Sequence, residues 1–113
     1  MGAWGEKPYD NDTAADWFDH LFNKTKFAAE VEKGLASDNI DEQRAAAFVV
    51  EKLAVSVYVW PFDSYDRLIG KAIDVLLGIL GDIDWLNSWD DKDEVVKILY
   101  ESLNNLKERL VEV

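Results

Sequence analysis

Six carboxylates fall within thirteen consecutive positions of the C-terminal half: Asp82, Asp84, Asp90, Asp91, Asp93 and Glu94, with Lys92 as the single cation among them. Trp85 and Trp89 lie inside the same stretch. Clustered acids suggest a hard cation, but a calcium loop needs oxygen ligands at its first, third and fifth positions and glycine at the sixth. Counted from Asp82, the fifth position is Leu86 and the sixth Asn87, so that pattern fails. Asp90 and Asp91 instead suit the start of a helix, where the dipole favours negative charge. Large aromatics usually serve the core, which is the preferred reading of Trp85 and Trp89. Indole rings framed by acids also make a hot spot for a basic protein, and these eight residues are the expected partner surface. A second group is Asp16, Asp19 and His20, within one helical turn, with Asp12 nearby. Asp16 and His20 share a helix face, yet a metal site needs three or four converging ligands, so a solvated face is the reading.

Other chemistries lack their residues. There is no cysteine and a single histidine, which removes disulfides, thiol catalysis, thiolate zinc sites and multi-histidine sites. Ser37, Ser56, Ser64, Ser88 and Ser102 have no local base and no nucleophile elbow. Gly78 and Gly81 close an element rather than open a phosphate loop. No catalytic residue, cofactor or metal is therefore expected, and the chain reads as a non-enzyme. Twelve basic against twenty-three acidic residues give a net charge of −11. That balance argues against nucleic acid and anionic membranes as partners, since phosphate affinity comes largely from Lys and Arg.

The elements that must position these residues read as helices. With 113 residues and 49% hydrophobic content, one domain spanning 1–113 can bury its own core. Residues 1–11 read as an irregular arm, with Trp4 packed on the body. Asp10, Asn11, Asp12 and Thr13 offer successive helix caps, and Thr13 with Asp16 has capping-box spacing. Trp17, Phe18, Leu21 and Phe22 follow at helical spacing, with a break at Asn23–Thr25. Phe27, Ala28, Val31 and Leu35 mark a second helix. Asn39 and Glu42 cap a third, whose Ala45–Val50 run is apolar all round and so belongs in the middle of a bundle. Its β-branched end, residues 54–60, admits a strand, but no other segment could pair with it, and helix is preferred up to Pro61. Asp63 or Ser64 caps a fourth helix with Leu68, Ile69, Ala72, Ile73, Leu76, Ile79 and Leu80 at steps of three and four. Residues 82–91 read as an acidic turn. A fifth helix from Lys92 carries Val96, Leu99, Leu103, Leu106, Leu110 and Val113, a heptad seam that suits a homodimer. The expectation is an all-α domain of about five helices.

The opening Met1-Gly2-Ala3-Trp4-Gly5, followed by Pro8-Tyr9-Asp10-Asn11-Asp12, resembles a family of small bacterial proteins catalogued as a domain of unknown function, number four-two-five-nine. Ala45–Val50 is similar to that family's Ala-rich central helix, and Leu103, Leu106, Arg109 and Leu110 to its closing helix. Glu6-Lys7 departs from the small residue and glycine common there. The resemblance implies a bacterial helical protein and no activity.

No basic stretch precedes an apolar run at the start, and Ala45–Trp60 is too short to span a bilayer and is interrupted by Glu51 and Lys52. A cytoplasmic protein is expected. Its expected role is an acidic interaction module, in a specific form an inhibitor or immunity protein for a basic, nucleic-acid-binding partner. The alternatives are a structural or regulatory homo-oligomeric bundle and a carboxylate-dependent metal enzyme.

Overall fold

Asn11 opens the first helix. Its backbone is extended, and its side-chain oxygen accepts a hydrogen bond from the Ala14 N–H at 2.8 Å. Helix α1 (Asp12–Thr25) therefore starts before Thr13, and the expected Thr13–Asp16 cap lies within it. The computed structural model describes residues 11–55, 59–60 and 62–110, with backbone alone at Phe62 and Asp63. The arm with Trp4, and Val113, lie outside the described residues.

The break expected at Asn23–Thr25 falls one residue later. Lys26 adopts the left-handed conformation, φ 55°, and its N–H donates to the Phe22 carbonyl at 3.1 Å. A non-glycine residue there costs about 1–2 kcal/mol. The turn sets Phe27 edge-to-face on Phe22, with ring centroids 5.3 Å apart, and this contact offsets part of that cost. Helix α2 (Phe27–Leu35) begins at once and buries Val31 and Leu35. It meets α3 (Ile40–Leu53) closely: a Cβ on Gly34 would stand 2.9 Å from the Ala46 Cβ, so only glycine permits this approach. Asn39 caps α3 as its spacing predicts, accepting from the Glu42 N–H at 3.0 Å.

Two expectations for α3 are corrected. The helix is not buried all round, because Phe48 is 57% exposed and Ala45 also faces outward. It also stops at Leu53 rather than running to Trp60. Ala54, Val55, Val59 and Trp60 are neither helix nor strand. Valines stiff at χ1 disfavour helix here, and the proline after Trp60 disfavours helical geometry at that residue.

Helix α4 (Phe62–Leu80) takes the central place expected of α3. Leu68, Ile69, Ala72, Ile73, Leu76 and Ile79 are all buried, and α4 touches every other helix except α1. Its cap is not Ser64, which sits buried in the first turn and accepts a hydrogen bond from Trp60 Nε1 at 3.0 Å. Asp63 likewise lies inside the helix. The segment 82–91 is not all turn: it contains a five-residue helix, α5 (Ile83–Asn87), anchored by buried Leu86. In α6 (Lys92–Glu108) the buried residues are Val95, Leu99, Leu103 and Leu106, with Val96 only half-buried. Leu99, Leu103 and Leu106 of the heptad thus fill the core of their own chain against α3 and α4, whereas Leu110, expected on the same helix, lies beyond its end at Glu108 and is exposed.

Among the described residues the result is an all-α, single compact domain with six helices and no strands. Helices α3, α4 and α6 form the central layer, α2 covers α3 and α4, and α1 packs on α2. No helix among the described residues is long and apolar enough to cross a membrane.

Candidate functional site

Two of the six acids in the 82–94 segment serve the backbone. Asp82 caps α5, its carboxylate accepting from the Trp85 N–H at 3.0 Å, and Asp91 caps α6 by accepting from the Glu94 N–H at 3.3 Å. These caps explain why the chain can turn twice within ten residues with its helix-start donors satisfied. The other four, Asp84, Asp90, Asp93 and Glu94, are exposed and form no ion pair or side-chain hydrogen bond among the described residues. Lys92 turns away to donate to the Asn87 side chain at 3.0 Å.

Trp85 and Trp89 stand on one side of this corner. The α5 turn brings their rings to a centroid distance of 5.6 Å at 69°, an edge arrangement. Trp85 is half-buried and Trp89 is 40% exposed. Arg44 of α3 reaches over both, its guanidinium carbon 5.8 Å from the centroid of each ring. A cation so placed is attracted by the negative faces of both indoles. Arg44 is the member of the site that sequence reasoning missed. Nothing local to it signals the contact, since it is far from both tryptophans along the chain and only the packing of the C-terminal half on α3 brings it there. Arg44 also borders a mainly apolar groove lined by Ala47, Phe48, Leu76, Ile98 and Leu99 of α3, α4 and α6.

A second polar group lies at the other end of α3. Glu51 is only 4% exposed, and Asn105 of α6 donates to its carboxylate at 2.9 Å. Burial alone would push this carboxyl up. Hydrogen bonds from Asn105 and Ser102, aided by the charges of Lys52 and Arg109, outweigh it and hold Glu51 below the usual value of 4.5. Burial pushes the nearby Tyr65 phenol up, against the pull of Arg109. The sequence signal for Glu51 was present: a charge inside an apolar helix must find partners. On the outer face of α2, Glu32 accepts from Arg67 and Lys71 of α4, and those two bonds hold its carboxyl low despite partial desolvation.

Asp12, Asp16, Asp19 and His20 all lie exposed on α1. Among the described residues, no three His, Asp or Glu side chains converge to hold a metal ion. The 82–94 acids are no exception, being spread over two helix starts and the turn between them.

No curated protein and no solved structure matches the chain. A family model does: Domain of unknown function (DUF4259) matches residues 2–60, which include α1, α2, α3 and Trp60, and so also Arg44 and Glu51 but not the two tryptophans of the acidic corner. The match covers just over half of the chain, which belongs to this family.

Proposed function

We propose that the protein is a non-enzymatic interaction module whose α5–α6 corner binds a basic protein, in the manner of an inhibitor or immunity protein that presents phosphate-like charge. The observation that carries this reading is the set of four exposed carboxylates, Asp84, Asp90, Asp93 and Glu94, that form no ion pair among the described residues, in the same segment as the half-open Trp89. A surface of this kind draws in a cationic partner through its field and holds it through the buried aromatic contact. The net charge of −11 adds a long-range attraction that salt screens over about 10 Å at 0.1 M.

The test uses Asp84→Lys with Asp90→Lys, since neither residue caps a helix, whereas a change at Asp91 would also remove the α6 cap. Partners are captured from native extract at low and high salt, and the kinetics of whatever is recovered are measured with parent and variant. The variant should associate more slowly, and its rate should depend less on salt. Equal binding by parent and variant would remove the corner from the interface.

A further inference from the structure

We infer that Trp85 and Trp89 form a cage for a guanidinium group of the partner, and that Arg44 is the internal occupant such a group replaces. The inference rests on the interaction reading above and adds the chemistry of the contact. Two indoles meet at 69° and leave one position that faces both, and a guanidinium already stands there, 5.8 Å from each ring centroid. The group that fits is thus displayed by the chain itself.

Arg44 is also a replaceable occupant. In a chain with twenty-three acidic residues it forms no ion pair and donates no side-chain hydrogen bond among the described residues. Its polar hold among the described residues is therefore the cation–π contact, partly open to water. A partner's arginine entering from solvent would meet the same two rings, while the exposed Asp84 and Asp90 of the same segment attract the rest of a basic partner. The displaced side chain has somewhere to go, because Arg44 also borders the groove lined by Ala47, Phe48, Leu76 and Ile98, along which its methylene stem can lie. A planar guanidinium stacks on indole better than an ammonium does, so the cage should prefer arginine to lysine.

The experiment compares nona-arginine with nona-lysine, two peptides of equal charge, by titration calorimetry and by tryptophan fluorescence. Arg44→Met removes the occupant's charge and keeps its stem on the groove, and Lys24→Ala on exposed α1 is the control for the same loss of one positive charge. Arg44→Met should bind nona-arginine about fivefold to thirtyfold more tightly than the parent, the range of one partly desolvated cation–π site, and more tightly than Lys24→Ala does. The gain should be smaller for nona-lysine and should vanish in Arg44→Met with Trp89→Ala. An equal gain in Arg44→Met and Lys24→Ala, or equal affinity of Arg44→Met for the two peptides, overturns the cage while leaving the acidic interaction surface standing. Weaker binding by Arg44→Met, with an unchanged melt, also overturns it, since Arg44 would then brace the ring pair. If no form of the protein binds either peptide at low salt, the cage and the interaction reading fall together.

Discussion

The two ends of α3 solve opposite problems with similar residues. At its C-terminal end, Trp60 is 1% exposed, and its ring packs against Phe22 at 5.1 Å and Phe27 at 6.1 Å, with its one polar atom donating to Ser64. The carboxylate there, Glu51, is buried and bonded to Asn105. At the N-terminal end, the paired tryptophans stand partly in water, contact a cation as well as each other, and lie in a segment with four exposed carboxylates that form no ion pair among the described residues. An aromatic cluster whose polar atoms are all satisfied internally is a device for stability. One that leaves a ring face and several charges open to solvent adds little to stability, and what it can add is recognition. The contrast shows that counting tryptophans says nothing of their use; the partner of each indole decides it.

The largest effect should come from emptying the buried cluster. Trp60→Ala removes a ring that fills the space between α1, α2 and α4, and should cost about 3–5 kcal/mol in urea unfolding. A loss below about 1 kcal/mol would mean that this end is no better packed than the other, and the comparison would break.

Glu51 tests the same end electrostatically. Its carboxyl is held below 4.5 in the folded protein, so the stabilisation it gives is present above the unfolded value and is lost as pH falls through the folded one. Glu51→Gln should lose about 1.5–3 kcal/mol near neutral pH, the worth of hydrogen bonds to a charged group, and the gap to the parent should narrow as pH falls below the ordinary value of 4.5. A gap that stays constant down to pH 3 would assign Glu51 a role through its shape alone. Ser64→Ala should follow at about 1–2 kcal/mol, because it strands the Trp60 Nε1–H in an apolar surround. If Ser64→Ala unfolds at the parent's urea midpoint, water reaches that indole and the end is less closed than its burial indicates.

How much of this was legible in the sequence differs along the chain. The α4 register was, since its apolar residues repeat at helical spacing and nothing competes with them. The Asn39 cap was, because capping is decided within four residues. The end of α3 was not: an apolar run of Ala45–Trp60 suits a helix, and only the valines and the proline, weighed together, oppose one. The heptad of α6 was visible, but spacing cannot tell whether its partner is another chain or the chain's own α3 and α4. The acidic corner was located by composition. Its organisation was not, because the division of the six acids into two caps and four open charges depends on the short α5, and the Arg44 contact depends on tertiary packing.

The smallest expected effect on stability is at Trp89, and it sharpens the comparison most. Its ring is 40% exposed, so truncation removes less apolar contact than at Trp60, and what remains is one aromatic pair and half of a cation–π arrangement. Trp89→Ala should therefore cost about 0.5–1.5 kcal/mol, several times less than Trp60→Ala. Leu86, buried beneath the same corner, keeps α5 seated in that variant, and the caps at Asp82 and Asp91 do not involve the Trp89 side chain. Binding should move the other way. Against a basic partner, Trp89→Ala should raise the off-rate and leave the on-rate and its salt dependence near the parent's, because the charges that steer the encounter are intact. Urea melts and surface-binding kinetics on the same preparation measure both quantities. A loss of stability matching that of Trp60→Ala would make the two clusters equivalent parts of one core and would leave the corner without a distinct role.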